Sequence, residues 1–135
     1  MRKLRGVDGV YVRFAVEKRD EDSLEPQGIF QAAAELSRTG RFAPHEQALY
    51  EAARAWFNSH LEQPERFARA RRTSTHRAIS WFRADAREHI AWARQLANLL
   101  EQHHVAVRML TTDRPGYIVY EDALQVTAEP FHHDR

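Results

Sequence analysis

From Val10 to Lys18 the chain reads VYVRFAVEK, in which Val10, Val12, Phe14 and Val16 alternate with Tyr11, Arg13, Ala15 and Glu17. A strand sends successive side chains to opposite faces, so a period of two predicts a half-buried strand here. The same period returns near the other end. Val105, Val107 and Met109 alternate with Ala106, Arg108 and Leu110, Tyr117 to Glu121 forms a further strand, and Leu124, Val126 and Ala128 face one side of a last one. Between these regions the apolar spacing becomes helical. A chain that is extended at both ends and helical between is expected to be α+β. It has an N-terminal strand, a helical hairpin, a long third helix and a C-terminal antiparallel β-meander, with the helices on one face of the sheet.

The acidic stretch RDEDSLEPQG carries Pro26 and Gly28 and reads as an exposed loop. A first helix is expected from about Gln27 to Arg38, with Ile29, Phe30, Ala33 and Leu36 on one face and Gly40 as its breaker. The second begins at Pro44, since proline at the first helical position lacks only an N–H that would be orphaned anyway. Its apolar stripe is Leu49, Ala52, Ala53, Trp56 and Phe57, with Glu46, Gln47, Glu51 and Arg54 toward water. A basic connector, RFARARRTSTHR, shows no amphipathic period. Ala78 to Phe82 is either a short buried strand, the reading preferred here, or the first turn of the next helix. The most regular helix runs from about Asp85 to His103, where Ala86, His89, Ile90, Ala93, Leu96, Ala97 and Leu100 recur at helical spacing. Asp113-Arg114-Pro115-Gly116 has the chemistry of a type II turn and predicts a hairpin between the flanking strands.

With 135 residues, the chain can bury one core and divides poorly into two, so residues 1–135 are expected to form a single domain. It has no cysteine, which excludes disulfides, thiolate zinc sites and cysteine nucleophiles. The sequences G-x-x-x-x-G-K-[ST], G-x-G-x-x-G and G-x-S-x-G are all absent, so P-loop, Rossmann and hydrolase-elbow schemes lack their parts, and no cofactor is expected. No apolar run approaches the roughly 20 residues of a membrane span, and the N-terminus lacks a signal-peptide core. A cytoplasmic location with no membrane partner is the resulting expectation. Net charge is only +1, yet residues 17–51 carry eight acids against four bases, whereas residues 66–94 carry eight arginines against Asp85 and Glu88. The chain is therefore acidic early and basic in its middle.

The basic connector holds Arg66, Arg69, Arg71, Arg72 and Arg77, interleaved with Thr73, Ser74, Thr75 and His76. Forked cations and hydroxyls suit phosphate oxygens, and the nearby Trp81, with Phe67 and Phe82, offers a face for stacking bases. The plainer alternative is a solvated loop that balances the acidic stretch. His89 lies on the apolar stripe of the third helix with Asp85 one turn earlier, a spacing that lets a carboxylate orient an imidazole. A histidine on such a face is equally a satisfied structural group. Glu121 and Asp122, beside Tyr120 and Gln125, are either paired carboxylates for acid and base roles or simply turn residues. His103-His104 and His132-His133 have no zinc-ligand spacing, so no metal site is expected.

Two resemblances extend over parts of the chain. GIFQAAAEL from Gly28, WFNSHL from Trp56 and RPGYIVYEDALQVTAEPF from Arg114 resemble stretches of small bacterial proteins of unassigned function. In outline the chain also resembles ADP-ribosyltransferases, which hold NAD through an arginine on an early strand, a Ser-Thr-Ser-like strand and a late glutamate. Arg13, Thr73-Ser74-Thr75 and Glu121 stand at those places, but Glu121-Asp122-Ala123 lacks the Glu-x-Glu pattern.

Three functional readings follow from these residues. One is a binding or regulatory domain that recognises a polyanion or nucleic acid through the arginine-rich connector. Another is a small hydrolase or transferase using His89, Asp85 and the Tyr120 to Gln125 turn. The last is a structural homo-oligomer joined through Trp92 and Leu99.

Overall fold

The structure, a computed structural model, describes residues 10–19, 26–61 and 78–131. Six strands and three helices follow in the order β1 (Tyr11–Arg19), β2 (Pro26–Gly28), α1 (Ile29–Arg38), α2 (Pro44–His60), β3 (Ile79–Arg83), α3 (Arg87–Gln102), β4 (Val107–Thr112), β5 (Tyr117–Glu121) and β6 (Gln125–Glu129). The class is α+β. All strand pairs are antiparallel and belong to one sheet.

β1 is the organising strand because both of its edges are used. One edge pairs with β4 from Tyr11↔Thr112 to Val16↔Val107. The other is shared by β3, at Tyr11↔Arg83 and Val12↔Phe82, and by β2, at Ala15↔Gly28. β3 continues outward to β6, and β6 to β5. The strands at the C-terminal end are all present and antiparallel, and β5–β6 is a hairpin. β4, however, lies against β1 and not against β5, so the Asp113–Gly116 segment carries the chain across the sheet.

Val12, Phe14 and Val16 face the helices and join Ile29, Ala32, Ala33, Tyr50, Ala53, Phe57, Phe82, Ala93, Leu96 and Leu100 in one core. Tyr11 and Ala15, on the opposite face of β1, are buried as well. The expectation of a half-buried strand is therefore corrected to a strand covered on both faces, in keeping with its central place. β2 also replaces part of the expected loop and the first turn of α1, because Gln27 and Gly28 pair along β1 before the helix begins.

α3 packs against both α1 and α2 and is the central helix. Its buried residues include His89, Ala93, Leu96, Ala97 and Leu100, as the spacing predicts. Leu99 is buried too, at 2 % exposure, which removes it from any surface through which copies would associate. In α2 the buried face is turned from the expected one. Leu49 is 42 % exposed and Ala52 is exposed, whereas Tyr50, Ala53 and Phe57 point inward. Tyr50 enters this face because its ring packs on Phe42, 5.8 Å between centroids, in the α1–α2 connection.

Glu46, expected in water, is half-buried instead. Its carboxylate accepts the Ala43 N–H at 2.8 Å, satisfying a free donor at the start of α2, and contacts His103 Nε2 at 2.9 Å. The Ala43 hydrogen bond, followed by His103, holds its pKa below the ordinary carboxylate value. This contact ties the start of α2 to the end of α3.

Both α1 and α3 end in the six-to-one and five-to-two hydrogen bonds of a Schellman motif. In α1 these are Arg41 N–H to Leu36 O at 2.9 Å and Gly40 N–H to Ser37 O at 3.1 Å. Gly40 supplies the positive φ of 71°. In α3 the bonds are Val105 N–H to Leu100 O and His104 N–H to Glu101 O, at 3.1 and 3.0 Å, and the residue at positive φ, 66°, is His104. An L side chain in that region costs about 1 kcal/mol. His104→Gly is accordingly expected to raise stability by roughly 0.5 to 1 kcal/mol, read as a higher urea midpoint at unchanged slope.

Candidate functional site

The longest strand and one of its neighbours have unequal lengths, and that difference creates an opening in the sheet. β1 spans nine residues, while β3 spans five and pairs with β1 at only two positions. Beyond Val12, β3 stays in register with β6 through four pairs and leaves the edge of β1. That edge is taken up again by β2 at Ala15. Arg13 and Phe14 lie between the two contacts and border a gap among β1, β2 and β3.

Arg13 spans the gap. One guanidinium nitrogen donates to Pro26 O of β2 at 2.5 Å, and another reaches Ser80 O of β3 at 3.5 Å. These carbonyls belong to strands that separate at this point, so a forked side chain with several donors suits the position. Gly28 lies alongside, and a Cβ placed there would stand 3.7 Å from the guanidinium.

A cavity of about 410 Å³ occupies this region between the sheet and the helices. Its apolar lining includes Phe14, Ile29, Phe30, Tyr50, Phe57 and Phe82, and its polar lining is Arg13, Arg54, Asn58, Ser80, Trp81 and Gln125. No carboxylate is found among the described lining residues. Phe30, expected on the buried face of α1, is 41 % exposed where it lines the cavity, and its ring meets Phe57 edge-on with centroids 4.8 Å apart. Ser80 and Thr127 share a hydrogen bond of 3.1 Å between their hydroxyls. Trp81 is different. Its Nε1 donor is buried and has no hydrogen-bond partner.

Gln125, 1 % exposed, connects the cavity to the β5–β6 turn. Its side-chain amide donates to Asp122 Oδ2 at 3.3 Å, where Asp122 also accepts the Tyr120 hydroxyl at 2.7 Å. Asp122 Oδ1 accepts the backbone N–H groups of Leu124 and Gln125 at 2.8 and 3.0 Å. Burial pushes the Asp122 pKa up, but the hydrogen bonds from Leu124, Tyr120 and Gln125 outweigh it and hold the carboxyl below its ordinary value. Glu121 turns the other way and forms an ion pair with Arg83 at 3.0 Å. The two neighbouring carboxylates thus hold different partners.

His89 lies in a separate place. A carbonyl can only accept, so His89 Nε2 donates to His60 O at 2.8 Å, satisfying a carbonyl at the end of α2. Its ring packs near Trp56, Phe57 and Phe82, at centroid distances of 4.7, 6.1 and 6.2 Å. Asp85 lies in the turn before α3 and is exposed, so it does not occupy the preceding helical turn that i, i+4 pairing with His89 requires. No hydrogen bond joins His89 to Asp85, Glu121 or Asp122, and none of the four lines the cavity. Trp92 stacks on Trp56 at 5.3 Å, and Trp56 stacks on His60 at 4.3 Å.

Arg66, Arg69, Arg71, Arg72 and Arg77 lie outside the described residues, as do Phe67, Thr73 to Thr75, His132 and His133. Of the residues that carry the ADP-ribosyltransferase resemblance, Arg13 bridges β2 and β3 while Glu121 sits at the end of β5 against Arg83. Among the described residues, no group of three or more acidic or histidine side chains is arranged to hold a metal, and no helix is long and apolar enough to cross a membrane. The cavity and the roles of Arg54, Asn58 and Ser80 in its wall had no signal in the sequence, since their approach depends on strand pairing across long separations. Compared with models of known families, with curated proteins and with solved structures, the chain shows no match.

Proposed function

We propose that the protein is a binding domain for an anionic ligand whose apolar body occupies the cavity at the sheet opening. The observation that carries this reading is that two cationic side chains, Arg13 and Arg54, line a largely apolar cavity in which no described carboxylate stands. The lining is mainly aromatic and aliphatic, and a volume near 410 Å³ falls within the usual size of small-molecule sites. Its charged members are Arg13 and Arg54, both cationic, and Arg54 makes no ion pair among the described residues.

Charge along the chain adds support. The arginine-rich connector follows Leu61, which lines the cavity, and ends at Arg77, directly before Ala78 and three residues before Ser80, another lining residue. Negative charge on the ligand is the chemistry common to these features. A catalytic role for His89 and Asp122 draws no comparable support, since neither lines the cavity and His89 Nε2 and the Asp122 carboxylate are engaged in holding α2 and the β5–β6 turn.

Thermal unfolding with a panel of naphthalene and medium-chain carboxylates, sulfonates and phosphates tests the proposal. A ligand at ten times its Kd contributes about 1.4 kcal/mol, which raises the Tm of a domain this size by roughly 4 °C. Ala34→Phe fills part of the cavity and is expected to abolish that rise. If every compound leaves the wild-type Tm unchanged, or the filled variant responds as fully as the wild type, the cavity is not the site. Salt-sensitive retention on heparin that disappears in an Arg69→Ala, Arg71→Ala, Arg72→Ala variant, without any cavity response, would move the function to polyanion recognition by the connector.

A further inference from the structure

The exposure of the lining residues separates the mouth of the cavity from its floor. Val12, Phe14, Ile29, Phe57, Phe82 and Leu96 are buried, and no buried residue of the described lining is charged. Phe30 on α1, Arg54 and Asn58 on α2 and Ser80 on β3 are exposed, so they frame the side open to water. Arg54 and Asn58 stand four residues apart and share one face of α2.

The two cations of the lining are not equivalent. The Arg13 guanidinium is held by the carbonyls of Pro26 and Ser80. Arg54 makes no ion pair or hydrogen bond among the described residues, although Glu51 lies three positions earlier, a spacing that allows a pair. Glu51 accepts the Gln47 amide at 2.8 Å instead. Arg54 therefore stands at the rim of an apolar floor with its charge uncommitted.

We infer that Arg54 is the anion-recognition residue of the cavity, and that the ligand lies with its acid group at the mouth between α1 and α2 and its apolar body on the floor. This orientation rests on the ligand-binding reading above and specifies how that site is used. The reverse order would strip a carboxylate of water against buried side chains that offer no charge, a penalty larger than an exposed ion pair can offset. The ligand class is thus an amphiphilic monoanion, an aryl or medium-chain acid, whose acid end tolerates polar extension into solvent.

Isothermal titration calorimetry with 2-naphthoate and 2-naphthalenemethanol, which have nearly equal shapes, reads the contribution of the charge. The wild-type protein is expected to bind the acid about fivefold more tightly than the alcohol. Arg54→Met, which keeps an unbranched apolar stem, is expected to reduce that preference to less than about twofold without weakening the alcohol, and Arg54→Lys to keep most of it. N-(2-naphthoyl)taurine moves the anion outward on an amide linker and tests the orientation on the unmodified protein. It is expected to bind within about threefold of 2-naphthoate.

An Arg54→Met protein that keeps the full preference, or a loss of more than about tenfold with the taurine conjugate, overturns the orientation but leaves a binding cavity in place. Equal affinity of the wild type for acid and alcohol does the same. Binding of none of the probes overturns the orientation together with the cavity reading on which it rests.

Discussion

Gly116→Ala is expected to lower the stability of the fold by at least about 3 kcal/mol, the largest effect of an added methyl among the three described glycines. Two independent penalties meet at this position. Its φ of +135° is one that L side chains rarely adopt. An added Cβ would also fall 2.1 Å from Glu129 O and 2.8 Å from the carbon of that carbonyl. Those atoms belong to backbone and cannot swing aside as a side chain would. Glu129 is the partner of Tyr117, the residue after Gly116, so relief of the clash requires the β5–β6 ladder to separate at that end. Gly40→Ala is the matched control, because φ there is +71° but nothing stands within 4 Å of its Cβ position. It should cost only about 1 kcal/mol. Urea unfolding of both variants measures the difference, and equal losses would show that the Glu129 contact does not matter.

The second large effect is expected at Asp122. Alanine there removes an acceptor from the Leu124 and Gln125 N–H groups, the Tyr120 hydroxyl and the buried Gln125 amide at once. Hydrogen bonds to a charged group contribute about 1.5 to 3 kcal/mol each but are not additive, so a total loss of about 2 to 4 kcal/mol is expected.

The lowered pKa of Asp122 adds a pH signature. The folded chain holds this carboxyl ionised to lower pH than the unfolded chain, whose reference value is 3.8. Its contribution is therefore fully present above that value and disappears as pH falls through the folded one. Urea midpoints followed from about pH 6 down to about pH 2 should show the difference between wild type and Asp122→Ala shrinking in the acid range. A difference that remains constant over that range would assign the loss to packing in place of the carboxylate's hydrogen bonds.

These two residues also show how far the sequence could be read. Gly116 and Asp122 both lie in stretches whose composition marks them as turns. Asp122 makes the contacts that a turn aspartate makes with the two residues ahead of it, and these are local. Gly116 was legible as a glycine with a conformational purpose, but the expected purpose was a hairpin between β4 and β5. Its actual constraint is the close backbone of β6, thirteen residues later. The strand at Ile79–Arg83 was likewise visible as one of two choices, and pairing with both β1 and β6 decides between them.

At the candidate site the gap is wider. The sequence offers Trp81 for its ring face beside the basic connector, whereas the fold buries its indole N–H without a partner. Arg13 was noticed only through a family outline. His89 and Asp85 were joined by helical spacing, but α3 begins after Asp85, and the His89 ring meets the last turn of α2 instead. Helical arithmetic applies only inside a helix, and a boundary two residues later than expected is enough to undo it.

By itself the sequence determined the α+β class, the alternation of β1, the proline start of α2, the apolar face of α3 and the exclusion of thiol and P-loop chemistry. These follow from chain-local physics, in which the period of apolar residues and the conformational limits of proline and glycine act within a few positions. Only the tertiary structure decided that β4 lies on β1, that β2 and β3 share one edge of that strand, and that a cavity opens where they separate. Arg13 and Ser80 meet across 67 positions, and Ser80 meets Thr127 across 47. Which strands become neighbours depends on how the whole core is covered, and the donor that Trp81 leaves without a partner exists only once that choice has been made.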